Sequence, residues 1–465
     1  MTNGVTIFGD SILLQDGWAR NVAIAVDARG DIVSIDAGVT FEAELMARLP
    51  GPAIPGMPNL HSHAHQRAMA GMSEYRASGV GAEDSFWTWR DVMHRFAEIV
   101  TPEILEAVAS QLYVEMVKAG YTAVCEFHYM HHGPGGIPYD DPAEMSMALV
   151  RAAARAGIGI TLLPVLYQTG GYAGKEPNPG QRRFISDPDL LLRIIDTVRT
   201  VHAGDPQVHV GVAPHSPRQV TKDGMKSVID GLTAMDAHAP IHIHVAEQEN
   251  DVTESLEFTA RRPVEWTMEN FDVDPRWCLI HATHLTEQET TALAQSGAIA
   301  GLCPTTEANL GDGIFPLLPY LAEGGRFGIG SDSHISVSMI EELRWLEYGQ
   351  RLTKRRRNLT SEGPGESTGV RLYDDALRGG AQASGRRLGK LGVGCRADFI
   401  VLNPNNPQLV GRSADRLIDS MVFSGNTSPV EEVWIAGKRQ VVNGRHVREQ
   451  DTLDVYTGVI RSLDV

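Results

Sequence analysis

The sequence predicts an α/β fold, a (β/α)8 TIM barrel carrying a smaller β-sandwich domain built from both termini. Apolar strand-like runs alternate with helical patterns through the middle of the chain, and eight such units over roughly 300 residues match the arithmetic of a TIM barrel. Both ends instead carry short alternating segments around turn residues, each too small to fold alone. The expected division is 1–55 and 376–465 for the two parts of the sandwich, with 56–375 as the barrel.

The bounds fit an enzyme-sized globular protein. With 465 residues, 42% of them hydrophobic, the chain can bury a large core. Its 41 basic and 58 acidic residues leave a net charge of −17, which argues against nucleic-acid partners and anionic membranes. An anionic substrate would therefore have to be met by local arginines. The four cysteines, Cys125, Cys278, Cys303 and Cys395, form no CxxC and suit a reducing compartment. No leader pattern and no run of 18 or more apolar residues is present, so a cytoplasmic protein is expected.

At the N-terminal end, Asn21 to Val26 and Asp31 to Ile35 flank Asp27-Ala28-Arg29-Gly30, a hairpin pattern. Near the other end, Ala397 to Leu402 reads as a strand, and Val433 to Ala436 turns through Gly437-Lys438 into Gln440 to Val442. The barrel strands are predicted as a first ending at His63, then Tyr121 to Phe127, Ile158 to Tyr167, Val208 to Pro214, Pro240 to Ala246, Trp277 to Ala282, Ala298 to Cys303 and Phe327 to Ser331. Helical patterns lie between them at Asp141 to Ala156, Asp189 to Val201 and Thr286 to Gln295, the last opened by the capping box Thr286-x-x-Glu289. Lys354 to Arg357 closes a further helix and reads as a solvated cluster.

Chemistry in such a barrel sits where strands end. The first ends in His61-Ser62-His63, whose histidines share a face because strand residues two apart point the same way, an entrance to a metal site. Strand five gives His242, His244 and Glu247, strand six His281 and His284, and strand eight Asp332. Singly, each histidine also reads as a satisfied core residue, and Asp332 as a helix N-cap ahead of Met339 to Leu352. Jointly that reading fails, because several ionisable groups buried at one rim cost too much without an ion to compensate them.

Together His61-x-His63, His244 with Glu247, His281 and Asp332 resemble the amidohydrolase superfamily, in its deaminase-like branch that uses one metal. The resemblance implies one Zn²⁺ held by His61, His63, His244 and Asp332, with no lysine after strand four to bridge a second ion. His242, one layer deeper than His244, reads as a packed core residue. Zinc lowers the pKa of water from about 16 to about 7, so that a hydroxide can attack an amidine carbon at neutral pH. Asp332 would accept the water's proton, Glu247 would protonate the substrate nitrogen, and His281 would orient the water or stabilise the developing charge.

A narrower resemblance lies in Asp84 to Arg90, in Gly120 to Tyr129 with His131-His132, and in Ala213 to Arg218. These stretches are similar to the formimidoylglutamate deiminases of histidine degradation. That family implies substrate contacts at Gln66, Arg90, Tyr129, His215 and Arg218, and an aromatic residue at position 65, where this chain has His65. Two arginines suit a dicarboxylate small molecule, which each could hold by bidentate bonds. The expected activity is hydrolytic deamination of N-formimino-L-glutamate to N-formyl-L-glutamate and ammonia by a homodimeric enzyme. Two other readings stand beside it: a deaminase for purines or other amidines on the same metal core, and a metal-free barrel with a structural role. The glycine-rich loop Gln168 to Gln181 reads equally as a lid or as a flexible connection.

Overall fold

The computed structural model describes residues 4–76 and 84–463. All eight predicted barrel strands are present. They run Met57–Ser62, Tyr121–His128, Gly159–Leu166, a fourth in two pieces (Val208–Val210 and Ala213–Pro214), Ile241–Val245, Trp277–His281, Ile299–Leu302 and Arg326–Ile329. Strands one to four form one parallel sheet and strands five to eight another. Both seams are stitched by parallel bridges, Val212 to Ile241 and Ser62 to Asp332, which closes the ring. Strands two and three are buried at every position, as a parallel sheet covered on both faces requires, and this explains their nearly unbroken apolar runs.

The covering helices start and stop where local chemistry dictates. The Thr286–Glu289 capping box opens Glu287–Ser296 as expected. The helix expected from Asp141 begins at Glu144 because the Asp141 carboxylate accepts the Ala143 N–H at 2.9 Å, which holds a turn ahead of it. That helix ends at Ala156 with Gly157 in the left-handed conformation. Met339–Lys354 is followed by the exposed Arg355, Arg356 and Arg357, the solvated cluster read from the sequence. Thr368–Ser384 is one helix packed on strands eight and one. The boundary expected at 375 falls inside it, and we propose that the barrel extends to Ser384.

The two ends of the chain meet in one nine-stranded sheet. Ala53–Pro55 pairs antiparallel with Phe399–Leu402, Ile54 opposite Ile400, joining N-terminal to C-terminal strands. The expected hairpins are there: Gly17–Val26 with Ile32–Asp36, and Val430–Ile435 with Lys438–Val442. The sheet bends back on itself, since the Ile32 N–H donates to Cys395 O at 2.8 Å although Phe399–Leu402, the strand that follows Cys395, lies far from Ile32–Asp36 in the sheet order. Ile7, Ile24, Phe399 and Trp434 share the core enclosed by this bend. Only Gly56 separates Ala53–Pro55 from barrel strand one, and a Cβ there would stand 2.2 Å from Thr122 Cγ2. The terminal sheet thus sets the entry of the strand that carries His61.

All four cysteines are buried free thiols. Among the described residues no helix is long and apolar enough to cross a membrane.

Candidate active site

The seam between strands eight and one builds the centre of the site. The Asp332 N–H donates to His61 O at 3.0 Å and the His63 N–H to Asp332 O at 3.2 Å, so the ladder itself sets Asp332 between the two histidines. Gly330 permits the approach, because a Cβ there would lie 2.7 Å from His61 Cβ. Asp332 Oδ1 is 3.3 Å from His61 Nε2 and 3.4 Å from His63 Nε2. From strand five, His244 Nε2 comes within 3.1 Å of His61 Nε2. From strand six, His281 Nε2 stands 3.7 Å from Asp332 Oδ2 and 3.6 Å from Glu247 Oε1.

Backbone strain gathers at the same rim. Ala246, His281, Ala282, Asp332 and His334 all adopt positive φ between 47° and 66°, where side chains other than glycine are disfavoured.

The protonation pattern is fixed by neighbours. His63 Nδ1 lies 2.9 Å from Phe127 O and His244 Nδ1 3.1 Å from His215 O. A carbonyl only accepts, so both Nδ1 atoms carry hydrogen. Burial, the largest effect on each, pulls the pKa values of His61, His63 and His244 down, which leaves the rings neutral with bare Nε2 lone pairs on His63 and His244. His63 Nε2 faces the Asp332 carboxylate and His244 Nε2 faces His61 Nε2, an arrangement of acceptors that a cation reconciles. Three imidazole nitrogens and one carboxylate oxygen are also a donor set that fits zinc. His61 Nδ1 is buried and has no hydrogen-bond partner among the described residues.

Around this centre the charges are sorted. Burial opposes the positive charge of His281, yet Glu247, Glu307 and Asp332 outweigh it and hold the ring up at about 10. Burial pushes Glu247 above the ordinary carboxylate range, with His281 pulling the other way. Glu307 was not legible in the sequence. Its carboxylate takes His281 Nδ1 at 3.2 Å and the Cys303 N–H at 2.8 Å, just past the end of strand seven. His242 donates to Ala383 O at 2.8 Å and is a core residue, as expected.

Of the residues expected to bind metal or substrate or to act in catalysis, all but His61 line one cavity. Gln66 Nε2 donates to Tyr129 Oη at 2.9 Å, which leaves Gln66 Oε1 buried and unpartnered. His65, where an aromatic was expected, packs edge-on against Tyr129 with Nε2 3.3 Å from its hydroxyl. Ser216 donates its hydroxyl to Gln219, so its oxygen accepts from His215 Nδ1 at 3.2 Å and His215 Nε2 keeps a free lone pair.

Arg90 and Arg218 meet at Trp87, their guanidinium carbons 4.4 and 5.2 Å from its ring centroid. Both Nε atoms are buried with no hydrogen-bond partner among the described residues. Arg218 already pairs through Nη1 with Asp251, in the first turn of the helix Glu249–Thr259, a residue the sequence reading did not single out. Arg90 forms no ion pair among the described residues. Its helix, Phe86–Ala97, is anchored from behind by the buried Arg183, which donates to Ala97 O and, at 2.7 Å, to Val100 O. The loop after strand three also reaches the cavity: Tyr172 lines it and stacks on Phe258 at 5.8 Å.

The sequence matches the "Amidohydrolase family" over residues 53–439 and "Formimidoylglutamate deiminase HutF, N-terminal domain" over residues 5–44. The chain belongs to the amidohydrolase family. It is 48% identical to formimidoylglutamate deiminase from Pseudomonas aeruginosa, across 98% of this chain and 99% of that one. Among amidohydrolase structures, one from Brucella melitensis superposes with a TM-score of 0.91 at 44% identity, covering 98% and 99% of the two chains. An adenosine deaminase from Xanthomonas campestris with bound zinc shares the fold, with a TM-score of 0.79 at 19% identity and 99% coverage of both.

Proposed function

We propose that this chain hydrolyses N-formimino-L-glutamate to N-formyl-L-glutamate and ammonia, a deimination in histidine degradation. One observation supports this substrate above other amidines: the two desolvated guanidinium Nε donors of Arg90 and Arg218 beside one indole. Buried donors without acceptors are costly and mark a place for a ligand. A dicarboxylate satisfies two such donors, whereas a neutral purine leaves them unpaired. The 48% identity to the Pseudomonas aeruginosa deiminase supports the same reading.

One zinc ion is part of the proposal, held by His61, His63, His244 and Asp332. The donor set supports it, as does the zinc in the Xanthomonas campestris deaminase. Bound there, zinc would supply Lewis acidity that lowers the pKa of water to about 7. Arg90 and Arg218 hold the glutamyl carboxylates, and Gln66, Tyr129 and His215 line the path between that anchor and the centre. Asp332, its two oxygens turned toward His61 and His281, accepts the proton of the attacking water. His281, whose Nδ1 faces the Glu307 carboxylate and whose Nε2 stands 3.7 Å from Asp332 Oδ2, steadies the charge that develops at the attacked carbon. Glu247, whose raised pKa keeps a proton available, protonates the terminal nitrogen as the carbon–oxygen bond forms. That nitrogen takes the proton held by Asp332 as its bond to carbon breaks, ammonia leaves, and the hydroxyl proton of the tetrahedral carbon restores Glu247. Residence in the cytoplasm belongs to the same proposal and is supported by the four buried free thiols.

Ammonia release across a panel of formimino, guanidino and purine compounds tests this reading. N-formimino-L-glutamate is expected to have the highest kcat/KM; a purine turned over faster would overturn the assignment.

A further inference from the structure

Arg218 is expected to grip a carboxylate, yet it already touches one. Asp251 accepts from Arg218 Nη1 and, through its other oxygen, from the Gln248 N–H at 3.1 Å. Gln248 follows Glu247 directly and opens the helix Glu249–Thr259, in whose first turn Asp251 sits. The same helix receives Tyr172 on Phe258, and Thr169 donates to Arg218 O at 3.4 Å. A side chain tied to the backbone at a helix start has little freedom to swing away. Asp251 engages Nη1 and leaves the buried Nε unpartnered, so it turns the guanidinium without filling the edge that a ligand would use.

We propose that Asp251 is a positioning residue that fixes the free edge of Arg218 and couples it to the backbone beside Glu247. The carboxylate anchor and the proton donor then move as one unit, and the distance between them selects the length of the substrate. This inference rests on the reading of Arg218 as a carboxylate anchor. A competing carboxylate would instead keep the substrate off Arg218, and the two roles have opposite signs in KM.

The test is a double-mutant cycle of Asp251→Asn and Arg218→Met, with steady-state kinetics on N-formimino-L-glutamate and on formamidine, which has no carboxylate. Asparagine keeps an oxygen for the Gln248 N–H, so the helix start survives, and Asp251→Ser serves if the first variant does not fold. For N-formimino-L-glutamate, Asp251→Asn is expected to raise KM about tenfold with kcat changed less than about threefold, and to add nothing in the Arg218→Met background. Formamidine kinetics should be unchanged by Asp251→Asn. If Arg218→Met leaves KM unaltered, the reading of Arg218 fails and the inference falls with it. If Arg218→Met raises KM while Asp251→Asn does nothing, adds its full effect in the double variant, or lowers KM, the role given to Asp251 alone is overturned.

Discussion

Nε2 of His61 and Nε2 of His244 face each other at 3.1 Å. His244 holds its hydrogen on Nδ1 against His215 O, so its Nε2 brings a lone pair to that contact. Removing a shared cation should therefore loosen the whole seam between strands one, five and eight. Chelation is expected to abolish ammonia release and to lower the melting temperature, since a ligand at about 1,000 times its Kd stabilises a fold by about 4 kcal/mol. Metal content and thermal melts before and after chelation check this, with one equivalent per chain expected. An unchanged melt with full turnover would contradict the metal reading.

Asp332→Asn keeps an oxygen for the ion but cannot accept a proton. Turnover should fall by about 10²–10⁴, the range for losing a general base, while the melt and the metal content change little. Kinetics paired with metal analysis decide this, because near wild-type kcat with metal bound would remove the base from Asp332.

Replacing Arg90 or Arg218 by Met should cost about 2–5 kcal/mol in kcat/KM for the dicarboxylate substrate, the range for truncating one partner of a buried charge pair. An amidine without carboxylates should be nearly indifferent. Equal losses on both would mean that the arginines serve the fold.

Glu126 links pH to stability. Its carboxylate lies in strand two under the His61 turn, accepting from Ser62 Oγ at 2.5 Å, Tyr113 Oη at 3.0 Å and the Ala64 N–H at 2.7 Å. Burial outweighs those bonds and raises its pKa from 4.5 to about 7. The folded chain therefore holds this proton more tightly than the unfolded chain does. Its contribution is fully present below pH 4.5 and is lost as pH rises to about 7, a change of about 3 kcal/mol. Glu126→Gln cannot titrate, so its stability relative to wild type should rise between pH 5 and pH 8. Denaturant melts at the two values measure the difference, and a constant gap would show that Glu126 is ionised in both states.

The barrel was legible because its strands are buried on both faces and read as apolar runs, and because functional groups stand at strand ends. His61, His244, His281 and Asp332 all lie at such ends. What escaped was the support behind them. Glu307 reaches His281 from a different rim segment, and Asp251 reaches Arg218 across 33 positions, contacts that no local pattern encodes. Glu126 did leave a trace, a carboxylate inside an otherwise apolar run, but its bonds to Ser62 and Ala64 come from folding. The boundary expected at 375 falls inside Thr368–Ser384, a helix whose packing on the barrel is a tertiary contact that no local pattern encodes.

The central claim concerns which bond breaks. With the carboxylates anchored at Arg90 and Arg218, the amino-acid nitrogen is held toward the anchor and the terminal nitrogen toward Glu247, whose proton makes that nitrogen the leaving group. Carbon NMR of a reaction started with N-formimino-L-glutamate labelled at the formimino carbon follows that atom directly. The account predicts that the label appears first in N-formyl-L-glutamate, with ammonia released alongside; label appearing first in free formamide, with glutamate as the other product, would contradict it.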